Sequence, residues 1–420
     1  MALATRSVSE IATAAKRASL ALARADAKTR SRVLERIATL LGERAEEILA
    51  ANRADLEDER AAGLNSALRD RLTLTPSRIE AMAEGARQIA ALPDPVGETI
   101  ESRTLASGLE LTKRRVPLGL VAVVYEARPN VTIDCAALTI KSANAIVLRG
   151  SSYAARSNAA LAAVVAEGLA AEGLPAEAVA LLDGGREELA ELARLEGIVD
   201  LVIPRGGEGL KDALKKVATV PVMYAASGNC HVYVDRDADL EMARRIIVNA
   251  KVSRPGVCNA AETLIVHRDV AAEFLPAALT ELAADGVELV GDEATIDAAG
   301  DTVVAEATEA DWASEFLDLK LAVGVVDSLE AAIEHVNRFG SGHSEAIVTA
   351  SDVAALEFTE AVDAAAVYWN ASTRYTDGFE FGLGAEVGNS TQKLHARGPI
   401  GVRELMTTKY VVRGEGQVRE

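Results

Sequence analysis

The chain has 420 residues, of which 49% are apolar and 25% charged, a composition typical of a folded protein that excludes an intrinsically disordered one. This length exceeds what a single hydrophobic core usually supports and predicts two or three domains. The 44 Lys and Arg residues against 63 Asp and Glu residues give a formal net charge of −19, which repels nucleic acids and anionic membrane surfaces, so neither is expected as a partner.

The sequence carries no pattern of export, membrane insertion or metal binding. The best candidate for a membrane segment, Leu118 to Tyr125, is far shorter than the ~18 apolar residues that a membrane helix needs. Residues 1–30 mix charged residues with alanine and lack the apolar centre of a signal peptide. The three cysteines have neither CxxC spacing nor an even count, which disfavours both a disulfide framework and a zinc site. We therefore expect a cytoplasmic protein without a metal.

The first half of the chain predicts helices, a hairpin and then a parallel sheet. Residues 9–63 place apolar side chains three and four apart with charges between them, which predicts two or three amphipathic helices. Residues 98–115 alternate around a Ser-Gly pair and predict a β-hairpin. Four strand-like runs then alternate with helical segments and predict a doubly wound parallel sheet. These runs are LVAVVY (120–125), AIVLR (145–149), AVALL (178–182) and DLVIP (200–204).

The second half predicts another α/β domain. Its strand-like runs, which again alternate with helical segments, are 231–235, 263–267, 321–327, 345–349 and 365–370. The segment from Val287 to Trp312 is acidic and rich in alanine, so a surface insertion is expected there. Alternation returns after Val402 and predicts a strand that completes a sheet with the hairpin, either in the same subunit or in a partner.

Cys258 is the candidate nucleophile. It lies in RPGVCN (254–259), at the junction of a predicted helix and strand, where an arginine and backbone N–H groups favour a reactive thiolate. A small buried cysteine is the alternative interpretation. That alternative suits Cys135, inside an apolar helix, and Cys230, at the start of a strand.

Seven blocks from about Arg114 to the C-terminus resemble one family in content and order. They are RRVPLGLVAVVYEARPNVT, KSANAIVLRGSS, VDLVIPRGG, GVCNAAETL, FGSGHSEAIVT, VYWNAS and GLGAEVGNSTQKLHARGPIGV. On these blocks the chain resembles the gamma-glutamyl phosphate reductases, a family of the aldehyde dehydrogenase superfamily. The resemblance implies an α/β, aldehyde-dehydrogenase-like fold, and a homo-oligomer, either a dimer or a tetramer.

With the predicted elements, the resemblance implies four regions. A doubly wound parallel-sheet domain that binds NADP is expected over 1–99 and 117–228. A second α/β domain, the catalytic one, is expected over 229–375 and carries Cys258. Residues 100–116 and 402–420 are expected to form a small β oligomerisation element, and 376–401 a loop segment near the active site.

The family's reaction is the NADPH-dependent reduction of L-glutamyl 5-phosphate to L-glutamate 5-semialdehyde and phosphate, the second step of L-proline biosynthesis from glutamate. A thiolate can expel phosphate from an acyl phosphate and leave a thioester that accepts hydride. Cys258 matches the family's nucleophile, and Asn130 matches the asparagine that stabilises the oxyanion. Residues 224–230 contain no carboxylate where hydrolytic relatives carry a general base, which favours a reductase that keeps its thioester from water.

The resemblance also implies cofactor and substrate contacts. Arg149, at the end of a strand, suits the 2′-phosphate of NADPH or NADP. Glu315 matches the carboxylate that binds the nicotinamide ribose, and Asp318 lies nearby. The other expected cofactor-binding residues lie in two glycine-containing turns: Gly150, Ser151, Gly206 and Gly207. The expected substrate-binding residues are polar side chains in loops: Arg128, His343, Ser344, Asn370, Ser372 and Arg374.

Several roles stay open from the sequence. His343 either donates a proton to the leaving phosphate or only binds it. A basic cluster of Lys393, His395 and Arg397 either binds phosphate or is a solvated or subunit-facing loop. The alternative functions are a CoA-dependent acylating aldehyde dehydrogenase and a non-catalytic nucleotide-binding protein with this fold. Transient contact with glutamate 5-kinase is a further expectation, because the acyl phosphate is unstable.

Overall fold

The computed structural model describes residues 6–64, 66–183, 185–224 and 227–419, without the side chains of 66, 67 and 208. The chain divides into two compact units. Unit 1 comprises Met1–Tyr224, Gly382–Gly388 and Ile400–Glu420, and unit 2 comprises Ala225–Phe381 and Asn389–Pro399. None of the helices in the described ranges is long and apolar enough to cross a membrane.

Unit 1 begins with helices whose starts follow ordinary capping rules. Ser7 and Glu10 form a reciprocal capping box, Asp26 caps the second helix, and Thr75 caps a helix that has proline in its first turn. The first three helices fall in the predicted helical region, and two more follow them. They are α1 (Val8–Arg24), α2 (Ala27–Glu43), α3 (Ala45–Leu56), α4 (Ser66–Leu72) and α5 (Pro76–Ala91).

The predicted hairpin is confirmed. Strands β1 (Thr99–Thr104) and β2 (Glu110–Pro117) pair antiparallel, and the turn between them places Gly108 at φ +80°, a value that glycine tolerates well. All residues of β1 are exposed. The hairpin therefore contributes little to the hydrophobic core.

A four-stranded parallel sheet forms the core of unit 1, with the order β5-β4-β3-β6. Every residue of its central strand β3 is buried, as the uninterrupted apolar run predicts. The strands are β3 (Leu120–Tyr125), β4 (Ala145–Arg149), β5 (Val179–Leu181) and β6 (Leu201–Arg205). The helices that follow them in turn are α6 (Asn130–Lys141), α7 (Ala155–Ala171), α8 (Arg186–Leu192) and α9 (Glu208–Val217).

Unit 2 contains a seven-stranded parallel sheet, with the order β10-β9-β11-β8-β7-β12-β13. Its strands are β7 (Cys230–Val234), β8 (Ala261–His267), β9 (Glu288–Gly291), β10 (Ala305–Glu306), β11 (Lys320–Val326), β12 (Ser344–Val348) and β13 (Ala366–Trp369). Its helices are α10 (Leu240–Val252), α11 (Arg268–Ala284), α12 (Glu293–Ala298), α13 (Glu309–Trp312), α14 (Leu329–Phe339) and α15 (Asp352–Ala361). The predicted α/β class is confirmed in both units.

The expectation of a surface insertion from Val287 to Trp312 is wrong. This segment supplies β9 and β10, and β9 pairs with β11 inside the sheet. Leu289 and Val290 are buried there. Two apolar side chains and a glycine in a four-residue run are enough for a strand when parallel neighbours pair with its backbone. The acidic residues on either side made this strand hard to predict from the sequence.

The C-terminal residues add a strand to the hairpin. Short strands β14 (Asn389–Ser390) and β15 (Gly398–Pro399) pair with each other, and β16 (Met406–Arg413) pairs antiparallel with β2. The three-stranded sheet β1-β2-β16 is therefore completed within one chain. Short 3₁₀ turns occur at Glu59–Gly63, Ser152–Ala154, Ala176–Ala178 and Thr373–Tyr375.

Candidate active site

Cys258 lies in the loop between α10 and β8, at the amino-terminal edge of the seven-stranded sheet. Its backbone turns sharply, with the amide of Ala260 donating to the carbonyl of Val257 at 3.0 Å. Cys258 is partly exposed, whereas Cys135 and Cys230 are buried, and burial raises the pKa of both buried thiols. Of the three thiols, Cys258 is the one that a substrate can reach as a nucleophile.

The backbone of Cys258 is held from behind by residues of the same unit. The Cys230 thiol donates to the Cys258 carbonyl at 3.2 Å. A Cβ atom added at Gly228 would lie 1.5 Å from that carbonyl oxygen, so only glycine permits this approach. The Gly228 amide donates to Glu315 Oε1 at 2.6 Å. Glu315 is thereby linked to the segment that supports Cys258.

Arg374 brings a cation to the same loop. Its Nη1 donates to Asn259 Oδ1, its Nε donates to Ser253 Oγ at 3.1 Å, and Asn259 Nδ2 donates to the Arg374 carbonyl at 3.2 Å. Burial and the charge of Arg254 lower the pKa of Arg374, while the Cys258 sulfur favours its charged form. A guanidinium stays protonated in proteins, so these contacts keep a positive charge close to the thiol.

His343 and Ser344 lie in the interior, although both are expected substrate-binding residues. Both side chains are fully buried, with His343 Nδ1 2.7 Å from Ser344 Oγ and Ser344 Oγ 2.5 Å from Thr376 Oγ1. Burial lowers the pKa of His343 to about 4, so its ring is neutral at neutral pH. This argues against the proton-donor alternative for His343.

Asn370 and Ser372 also have contacts within the fold. Asn370 adopts φ +57°, and its side-chain amide bonds both to the Thr349 amide and to the Thr349 carbonyl, each at 2.9 Å. Ser372 Oγ accepts from the Arg374 amide at 3.3 Å and caps a 3₁₀ turn. These contacts shape the loop that presents Arg374.

A buried ion pair that the sequence analysis missed lies behind the Cys258 loop. Lys251 on α10 and Glu262 on β8 are fully buried, with Nζ and Oε2 2.5 Å apart. Glu262 Oε1 also accepts from the amide of Leu317, which adopts φ +55°. Burial raises the pKa of Glu262 to about 7 and lowers that of Lys251. The pair therefore joins α10, β8 and the segment that carries Glu315.

In unit 1, Asn130 is the first residue of α6 and is exposed. Its Nδ2 donates to Asp134 Oδ2 at 3.0 Å. Burial raises the pKa of Asp134 to about 6, so this carboxylate is mostly ionised at pH 7 and accepts the bond. Arg128 precedes the helix, and its amide donates to the Glu126 carbonyl at 2.6 Å. One N–H of the Asn130 amide is thus oriented by its own helix.

The carboxyl ends of β4 and β6 provide groups that fit a dinucleotide. Arg149 ends β4 and donates from Nη2 to the Gly185 carbonyl at 3.0 Å. The nearby Ser151 hydroxyl is buried and has no hydrogen-bond partner among the described residues. Gly207 precedes α9 without a side-chain cap, and a Cβ there would meet nothing within 4 Å. An unpartnered hydroxyl, an arginine and an open helix N-terminus suit phosphate and ribose groups.

Two other predicted glycines are tightly packed. A Cβ at Gly150 would lie 2.1 Å from Asn158 Nδ2, and one at Gly206 would lie 2.9 Å from the Glu126 carboxyl carbon. Glycine is needed at both positions to keep the two turns close to their own unit.

In the described ranges, His, Cys, Asp and Glu side chains form no group of three that could hold a metal ion.

Comparisons with known proteins give a consistent result. Residues 2–299 match the aldehyde dehydrogenase family. The gamma-glutamyl phosphate reductase of Thermobifida fusca is 51% identical over 415 residues, covering 99% of each chain. That of Koribacter versatilis is 52% identical over 407 residues, covering 97% of this chain and 98% of the relative. The crystal structure of the Thermotoga maritima gamma-glutamyl phosphate reductase superposes with a TM-score of 0.95 at 45% identity, covering 99% of this chain and 100% of that one.

Proposed function

Because the chain belongs to the aldehyde dehydrogenase family and, within it, to the gamma-glutamyl phosphate reductases, we propose that it reduces L-glutamyl 5-phosphate to L-glutamate 5-semialdehyde and phosphate. This is the reductase step of proline biosynthesis. Identity of 51% and 52% with two relatives of that name, over nearly the whole chain, is the observation that carries the proposal. Unit 1 is the proposed cofactor domain and unit 2 the proposed catalytic domain.

The proposed nucleophile is Cys258. Its thiolate attacks the acyl carbonyl, a C–S bond forms, and the bond from carbon to the phosphate oxygen breaks with the electron pair leaving on phosphate. The partial exposure of Cys258 and the nearby Arg374 cation support this role, because both favour an accessible thiolate. After reduction of the thioester, the hemithioacetal collapses to the aldehyde and returns the thiolate.

Asn130 is the proposed donor to the oxyanion of both tetrahedral intermediates. Its bond to Asp134 occupies one N–H of the amide, and the second N–H is available for the oxyanion. A preorganised donor of this kind is worth roughly 10²- to 10³-fold in kcat. The role of Asp134 is to position the amide, since it contacts Asn130 and not the reacting atoms.

The proposed cofactor is NADPH, whereas the family as a whole uses NAD(P). When bound, this cofactor supplies the hydride that reduces the thioester. The residues that would hold it in unit 1 are Arg149, at the 2′-phosphate, Ser151 at the adenosine ribose, and Gly207 with the first turn of α9 at the pyrophosphate. In unit 2, Glu315 is proposed for the nicotinamide ribose.

Substitution Arg149→Gln is expected to reduce the preference for NADPH over NADH. Loss of one charge-assisted contact to a phosphate is worth about 1.5–3 kcal/mol, which corresponds to roughly 10- to 150-fold in kcat/KM with NADPH. Activity with NADH should change little, because NADH lacks the 2′-phosphate. Steady-state kinetics with both cofactors measure the change. The control is Arg87→Gln, on the exposed face of α5; equal losses with both cofactors would contradict the assignment.

The reverse reaction tests the proposed function. Purified protein is mixed with L-glutamate 5-semialdehyde, NADP and phosphate, and the absorbance of NADPH is followed. NADPH formation that requires phosphate supports the proposal, since phosphate must attack the thioester to complete the cycle. Formation without phosphate would indicate a hydrolytic aldehyde dehydrogenase, and formation only with CoA would indicate an acylating one. Either of these outcomes would overturn the proposal.

The three-stranded sheet β1-β2-β16 is the proposed site of homo-oligomer formation. Tyr410 and Val412 on β16 are 59% and 51% exposed, which leaves apolar side chains available to a second copy. A dimer or a tetramer is proposed.

The proposed location of the enzyme is the cytoplasm. We also propose that glutamate 5-kinase transfers the reactive acyl phosphate to it in a transient contact.

A further inference from the structure

Unit 2 contains a cavity whose lining residues have no role in the chemical steps proposed above. It has a volume of about 460 Å³, within the usual range for small-molecule sites, and lies between the loops that lead into β12 and β13. The segment from Thr391 to Arg397 forms another side. The polar residues that line it and matter here are Ser341, Glu345, Asp363, Lys393 and Arg397.

Glu345 is one of the residues that line this cavity, and its carboxylate is buried. The residue is 1% exposed, and its Oε2 accepts from the His231 amide at 2.6 Å and lies 3.0 Å from His231 Nδ1. Its Oε1 has no hydrogen-bond partner among the residues that the structure describes. A Cβ at Gly340 would lie 2.9 Å from Oε1, so the glycine keeps this oxygen uncovered. A buried acceptor without a partner is costly unless a ligand or water satisfies it.

Two further residues that line the cavity carry a polar atom without a partner in the described part of the chain. Ser341 Oγ and Arg397 Nε are buried atoms with no hydrogen bond to any described residue. Arg397 Nη2 is bonded to Asp363 Oδ1 at 2.7 Å, and Lys393 pairs with the other oxygen of Asp363. The residues that line this cavity therefore carry a guanidinium donor, a hydroxyl and a carboxylate acceptor that are buried and have no hydrogen-bond partner among the described residues.

The charges of the cavity favour a neutral ligand that carries both signs. Burial raises the pKa of Glu345; when it is ionised, it and Asp363 balance the cations of Lys393 and Arg397. A phosphate dianion would meet two carboxylates, whereas the single carboxylate of a zwitterion needs only Arg397 Nε, which the pair with Asp363 does not use. A zwitterion instead matches the buried carboxylate with its cation and the guanidinium with its anion.

We propose that this cavity binds the head group of an α-amino acid, with the ammonium on Glu345 and the carboxylate on Arg397. The Ser341 hydroxyl provides an additional partner for the carboxylate. Two sources share this chemistry: the head group of the enzyme's own amino-acid substrate, and a separate free amino acid that acts as an effector. Binding itself does not depend on the proposed function, whereas identification with the substrate rests on it.

The sheet places this cavity near the Cys258 loop. The loops before β8 and β12 lie at the same edge because the strands are parallel, and only β7 separates these two strands. Adjacent strands are about 4.8 Å apart, so the strands next to the two sites are about 10 Å apart. Cys230 and His231 at the start of β7 contact the Cys258 carbonyl and Glu345, respectively. Occupancy of the cavity can therefore influence the thiol whichever source the ligand has.

Calorimetry with the full chain tests the proposal, with L-glutamate and its amine-free analogue glutarate as probes. L-Glutamate is expected to bind, and Glu345→Gln and Arg397→Gln should each weaken that binding at least 10-fold. Glutarate should bind at least 10-fold more weakly than L-glutamate to the wild type, and Glu345→Gln should have little further effect on it. The matched control is Arg268→Gln, whose arginine pairs with Asp327 at the opposite edge of the sheet.

The calorimetric and kinetic results distinguish support for the proposal from its failure. Absence of L-glutamate binding to the wild type, or equal affinity in the wild type and both cavity variants, would overturn the proposal. Because Glu345 also bonds to His231, thermal melting is recorded for each variant; should E345Q fail to fold, Arg397→Gln and Ser341→Ala decide alone. In kinetics, competition between L-glutamate and the semialdehyde identifies the substrate's head group, and non-competitive inhibition identifies an effector. Failure of the proposed reduction leaves the calorimetric result intact.

Discussion

Substitution Cys258→Ala is expected to lower kcat for semialdehyde-dependent NADPH formation by about 10⁴-fold or more. In the proposed mechanism this sulfur forms the covalent bond of the thioester, and no neighbouring group can replace it. The other thiols of the chain cannot take over, because Cys135 and Cys230 are buried and burial raises their pKa values. Stopped assays with phosphate, NADP and semialdehyde measure the residual rate.

The control for this substitution is Cys135→Ala, which removes a buried thiol from the interior of α6. It should cost some stability and leave kcat nearly unchanged. Cofactor binding, followed by quenching of protein fluorescence, should be preserved in C258A. A C258A protein that binds the cofactor and retains more than about a tenth of the wild-type rate would remove Cys258 from the mechanism.

Much of the fold follows from the spacing of apolar residues. The continuous runs predicted β3, β4 and β6 within about one residue of their ends, because a strand covered on both faces is apolar at every position. The same reasoning missed β9, whose four residues are flanked by acidic segments. A short strand at an intermediate position in a sheet is stabilised by its neighbours more than by its own pattern.

The candidate site could be predicted only where sequence motifs mark it. The blocks around Cys258 and Asn130 make both residues candidates, and the structure adds that Cys258 is partly exposed and that Asn130 bonds to Asp134. The fully buried positions of His343 and Ser344 were not predictable, because a polar pair in a glycine-containing loop suggests exposure. Burial of such a pair depends on contacts with Thr376, which lies 32 residues from Ser344 in the sequence.

Buried charges are the hardest features to predict from a sequence. Lys251 and Glu262 are separated by 11 residues, and each resembles an ordinary surface residue at the end of a helix or the start of a strand. Only tertiary packing of α10 against β8 removes both from water. The same holds for Glu345, whose partner His231 is 114 residues away. In both cases the fold is stable despite the free-energy cost of burying an ionisable group, so the position of that group is informative about the site.

Substitution Lys251→Met is expected to destabilise unit 2 by about 3–5 kcal/mol, because it leaves the fully buried Glu262 without its cation. The double variant K251M/E262Q should recover most of this loss, since a neutral amide can still accept from the Leu317 amide. Denaturant unfolding followed by circular dichroism measures the free energies. The control Lys215→Met removes a cation that is paired at the surface with Asp212, and no measurable change is expected.

The pH dependence of these variants separates charge from packing. Burial raises the pKa of Glu262 from its ordinary value of 4.5 to about 7, so the folded state holds a proton that the unfolded state releases. The stability contribution of Glu262 is therefore full below about pH 4.5 and is lost as the pH rises to about 7. Glu262→Gln should remove this loss. The stability deficit of K251M should grow above about pH 7, because loss of the cation raises the pKa of Glu262 further and the variant keeps losing stability after the wild type has stopped. A K251M deficit that is independent of pH and unrelieved by E262Q would assign the loss to packing of the lysine side chain. The predicted pH dependence would assign the loss to the charge of Glu262, whose Oε1 accepts from the Leu317 amide, two residues from Glu315.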